Sequence, residues 1–108
     1  MKLQTIQEFE LYAMMYVAGL DMKVSKEEMK LMKQDVSPEL FEQVADMFRN
    51  DSDVEAIEAI REASAAYLTT DAKKQEFIQK LRILAASDKL VHIEEANISM
   101  LEKMILNA

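Results

Sequence analysis

The 108-residue chain has no cysteine and no tryptophan, and it has only one glycine and one proline. Without cysteine there are no disulfides, thiolate metal ligands or thiol nucleophiles, which suits a reducing compartment. Gly19 and Pro38 alone cannot supply the turns that a sheet protein needs every few positions. The opening Met1-Lys2-Leu3-Gln4-Thr5-Ile6-Gln7-Glu8 lacks the apolar stretch of a signal peptide. No apolar run approaches the roughly 18–20 residues that cross a bilayer. A cytoplasmic chain without membrane insertion is therefore expected. Basic clusters are also missing. The 13 Lys and Arg are scattered beyond Lys73-Lys74, and a net charge of −7 repels phosphate backbones, so nucleic acid is not an expected partner.

Half of the residues are hydrophobic and 31% are charged, a globular rather than disordered composition. A chain of this size buries roughly 60% or more of its unfolded surface, enough for one core without covalent staples. Ala, Leu, Met, Glu, Lys and Gln dominate, and these side chains lose little freedom in a helix. The expected structure is a single all-α domain over residues 1–108, a bundle of six or seven helices.

Capping signals place the helices. Thr5-Ile6-Gln7-Glu8 reads as a capping box opening a helix to about Leu20. Its apolar residues Ile6, Phe9, Leu11, Tyr12, Ala13, Met14, Met15, Tyr16, Val17 and Leu20 wrap most of its circumference, which predicts a central, mostly buried helix. Ser25-Lys26-Glu27-Glu28 opens a second helix to about Lys33, with Met29 and Met32 inward. Ser37-Pro38 opens a third, whose stripe is Leu40, Phe41, Val44, Met47 and Phe48. Ser52-Asp53-Val54-Glu55 caps a fourth helix to about Leu68. Thr69-Thr70-Asp71 caps a fifth to about Ser87, with Phe77, Ile78, Leu81, Leu84 and Ala85 inward. A sixth runs from Ile93 to about Leu106 on a stripe of Ala96, Ile98, Leu101, Met104 and Ile105.

One internal repeat stands out. Residues 17–28 lie over residues 84–95, 67 positions later, in the frame apolar–Ala–x–x–Asp–x–x–Val–x–x–Glu–Glu. In each copy a hydrophobic helix ends near an Asp, Asp21 or Asp88. A short connection then carries one Val, and a new helix opens on paired glutamates ending in Glu28 or Glu95. An Asp at a helix C-terminus opposes the dipole there. It is tolerated when its carboxylate turns forward to accept N–H groups of the loop. The second glutamate stands three residues after Ser25 or His92, where it can reach back to the cap N–H.

This frame resembles the TerB-like family of tellurite-resistance-associated helical domains, also found at the start of some membrane-tethered DnaJ-like proteins. The family signature is an Ala-rich helix end followed by Asp-Gly-x-Val/Ile-x-x-x-Glu, twice in one helical fold. The matching positions are Asp21, Val24 and Glu28, then Asp88, Val91 and Glu95. The resemblance covers roughly residues 6–34 and 72–106 and leaves the middle helices unmatched. The glycine of each motif is replaced, by Met22 and Lys89, which narrows the turn conformations open to it. The family implies acidic, metal-binding surfaces near these carboxylates.

Asp21, Glu28, Asp88 and Glu95 accordingly read in two ways: as loop and cap acceptors, or as an oxygen-ligand site for Ca²⁺ or Mg²⁺. EF-hand spacing and its central Gly are absent after both Asp residues. His92, the only His, reads as a cap-like loop residue rather than a metal ligand. Ser52, flanked by Asp51 and Asp53, resembles the attachment serine of acyl carrier proteins. The Leu that should follow it is Asp53, and Ser52 reads as an N-cap. Of the nine Met, most fall on apolar stripes and are expected in the core, with Met22 the exception in a turn. No Ser–His–Asp set or phosphate-binding Gly loop is present. The expected function is a non-enzymatic TerB-like accessory module for protein interaction or stress response, needing no cofactor, with a divalent cation at the acidic turns as an option. The alternatives are a carboxylate-based, metal-dependent enzyme pairing Asp21 with Glu95 or Asp88 with Glu28, an acidic carrier-type protein, and a self-associating structural protein.

Overall fold

The computed structural model describes the backbone of residues 2–18, 26–34, 36–86 and 92–106, and all their side chains except those of 27, 28, 85, 86 and 92–95. Six helices and no strands are found among these residues: α1 (Ile6–Ala18), α2 (Lys26–Lys33), α3 (Pro38–Asn50), α4 (Asp53–Tyr67), α5 (Asp71–Ala86) and α6 (His92–Leu106). None of them is long and apolar enough to cross a membrane.

The helix starts follow the sequence signals. Thr5 Oγ1 accepts from the Glu8 N–H at 3.1 Å, and its hydroxyl donates to the Glu8 carboxylate at 3.3 Å. Ser37 Oγ accepts from the Leu40 N–H, with Pro38 in the first turn where its missing N–H costs nothing. Ser52 and Glu55 form a reciprocal capping box, each side chain accepting from the other's backbone N–H. Thr70 Oγ1 accepts from the Lys73 N–H at the start of α5. Ser25 lies outside the described residues, so its expected box is not described.

The expectation of a central first helix holds, because α1 packs against all five other helices. Phe9, Tyr12, Ala13, Met15 and Val17 are all fully buried there. Phe9 stacks on Phe77 of α5 at 4.7 Å between ring centroids and lies 6.1 Å from the ring of Tyr67. Ile6 departs from the expected pattern: it is 45% exposed, although Glu8 and Phe9 of the same turn are buried. Ala96 departs likewise and is exposed, whereas Ile98, Leu101 and Ile105 of α6 are buried as expected. An alanine carries too little apolar area to fix a helix face by itself. Met15 and Met32 are buried, Met14, Met29, Met47 and Met104 pack at the margin of the core, and Met100 is exposed.

The two arms of the repeat fold alike at the level of helices. α1 ends and α2 begins around residues 19–25, and α5 ends and α6 begins around residues 87–91, so the boundaries agree to within one residue of the 67-residue offset. The aligned Val17 and Leu84 are both buried. The contacts also close under the exchange of α1 with α5 and α2 with α6. α1 packs on α2 as α5 packs on α6, α1 packs on α6 as α5 packs on α2, and α1 packs on α5. This is the contact set of a pseudo-two-fold pair of hairpins.

α1 and α5 run in the same direction. The side-chain amide of Asn97, early in α6, donates to the carbonyl of Tyr16 near the end of α1. Only five residues, 87–91, separate the end of α5 from the start of α6, so the ends of α1 and α5 share one end of the bundle. α4 lies antiparallel to α1, because its first residue, Asp53, acts on Tyr16 while its last, Tyr67, packs on Phe9. α3 also packs on α1, and α4 packs on α6 as well.

Candidate functional site

The four carboxylates singled out by the repeat are only partly placed. Glu28 lies on α2 and Glu95 on α6, but their side chains, and all of Asp21 and Asp88, lie outside the described residues. Val24, Val91 and Met22 do too, as does the His92 side chain. The described scaffold fixes where both connections depart. α1 and α5 end at the same end of the bundle, with residues 19–25 and 87–91 between them and the starts of α2 and α6. The α3–α4 corner meets α1 at Tyr12, in the middle of that helix, and the charge of Asp53, in the first turn of α4, reaches Tyr16. Acidic residues in the first turns of the helices that begin there meet unpaired N–H groups and positive dipole ends, whereas the C-termini of α1 and α5 at the same end oppose negative charge. Burial raises the Tyr16 phenol above its ordinary pKa, and the charge of Asp53 adds to the effect.

Among the described residues, no group of three or more His, Asp or Glu is arranged to hold a metal ion. Ser52, flanked by aspartates, uses its hydroxyl as the N-cap acceptor of α4 and stands exposed. Capping accounts for that serine without a prosthetic group.

Asp51 was not singled out by the sequence, yet it is the most connected carboxylate described. It follows α3 directly, and its N–H donates to the Phe48 carbonyl. Its side chain, 8% exposed, accepts from Lys2 Nζ at 2.7 Å and from the Tyr12 hydroxyl at 2.5 Å. Burial alone would push the Asp51 carboxyl up. The hydrogen bonds from Lys2 and Tyr12, with the Lys2 charge, outweigh it and hold the carboxyl below its usual range. Burial and the Asp51 hydrogen bond push the Tyr12 phenol well above its ordinary pKa. Lys2 ties the segment before α1 to the α3–α4 corner, and beside it Leu3 is fully buried, its carbonyl accepting from the hydroxyl of Tyr67, the last residue of α4, at 2.9 Å. The arrangement is structural: every polar atom named in it is paired within the fold.

A cleft of about 270 Å³ lies between α1, α2 and α5. Leu11, Met14, Leu31, Met32 and Leu84 form its apolar floor, and the Lys80–Glu10 ion pair, 2.7 Å long, stands at its rim. The 67-residue offset explains why it is open. Glu10 and Met14 of α1 correspond to Phe77 and Leu81 of α5, which are buried. The buried Ala13 and half-buried Tyr16 of α1 correspond to Lys80 and Ile83, which are exposed. Phe9 and Tyr12 correspond to the exposed Glu76 and Gln79, so this face of α5 is mostly hydrophilic and needs no covering helix. Extending the repeat frame toward the helix starts is the sequence signal that would have shown this asymmetry. Comparison with protein-family models, with curated proteins and with solved structures finds no match to this chain.

Proposed function

We propose that this chain is a TerB-like, non-enzymatic accessory module that binds a protein partner, in a stress-response setting of the kind the family resemblance implies. One observation carries the reading: α1 and α5 run in the same direction, so the two connections that carry Asp21 and Asp88 leave from one end of the bundle. That end, with Asp53 of α4 acting on the nearby Tyr16, is the proposed binding face. A face built from carboxylates on helix N-termini recognises cationic groups, and such recognition weakens as salt rises.

The experiment is co-fractionation from the native host, comparing the wild-type chain with an Asp21→Asn, Asp88→Asn double variant. The wild type is expected in an assembly larger than the monomer that dissociates at high salt, with the variant at monomer size. Migration of both at monomer size, or no difference between them, contradicts the reading. Divalent-cation binding at the same end is a separate part of the proposal and has its own titration, below.

A further inference from the structure

We draw no further inference here: the strongest candidate, the apolar cleft between α1, α2 and α5 with the Lys80–Glu10 pair at its rim, is an unpartnered surface for which nothing in the structure shows what covers it.

Discussion

The Tyr12 hydroxyl donates to Asp51 Oδ2 at 2.5 Å across 39 positions of sequence, joining the middle of the central helix to the corner between α3 and α4. Tyr12 is fully buried, and its ring meets Phe48 edge-on at 5.4 Å. A hydrogen bond to a charged acceptor contributes about 1.5–3 kcal/mol. Tyr12→Phe keeps the ring packing and removes only the donor, so denaturant unfolding should show a loss of that size. Asp51→Ala should cost at least as much, because it strands the buried hydroxyl. The double variant should cost less than the sum of the two, since they share one interaction. Additive losses would show that the two side chains are not coupled.

The same pair sets the pH dependence. The folded Asp51 carboxyl lies below its ordinary range, so its contribution is present above the unfolded pKa of about 4 and fades as pH falls through the folded value. The folded Tyr12 phenol lies above its ordinary range, so its contribution is full below about pH 10 and is lost as pH rises beyond that. Stability curves should therefore fall at both extremes. Tyr12→Phe should flatten the alkaline fall, as read by thermal unfolding across pH. An alkaline limb unchanged in that variant would remove Tyr12 as its cause.

Ser52→Ala should destabilise the fold by about 1 kcal/mol, because it removes the acceptor for the Glu55 N–H. Glu55→Gln should cost less, since an amide oxygen can still accept from the Ser52 N–H. Equal losses for the two variants would contradict the reciprocal geometry of the box.

Calorimetric titration with Ca²⁺, Mg²⁺ and Zn²⁺ tests the cation part of the proposal. Saturable heat in the wild type, reduced in Asp21→Ala and Asp88→Ala, is the expected outcome if these carboxylates bind a hard cation through oxygen ligands. Heat no greater than buffer dilution, or equal heat in the variants, leaves the carboxylates with loop and cap roles alone.

Local signals were legible because their causes are local. Thr5, Ser37, Ser52 and Thr70 each satisfy N–H groups within one turn, so the helix starts could be placed from a few residues. The inward stripe of α5 was legible for the same reason, since Phe77, Ile78, Leu81 and Leu84 share one helix face and are buried. What escaped depends on distant partners. Nothing near Asp51 in sequence indicates that Lys2 and Tyr12 converge on it, and nothing near Leu3 indicates its complete burial. The exposure of Ile6 escaped for a different reason: a helix apolar nearly all round has no face from which to read its orientation. The repeat showed that two hairpins exist, whereas their parallel packing rests on the Asn97–Tyr16 contact.

The helix pairs α1–α2 and α5–α6 are related by the 67-residue repeat, and α1 and α5 end at the same end of the bundle. A crystal or solution structure that resolves residues 17–28 and 84–95 tests it most directly. The account expects the two segments to superimpose in the 67-residue register, with Asp21 over Asp88 and Glu28 over Glu95 at one end. Unlike backbone paths through the two connections, or α1 and α5 ending at opposite ends, would contradict it.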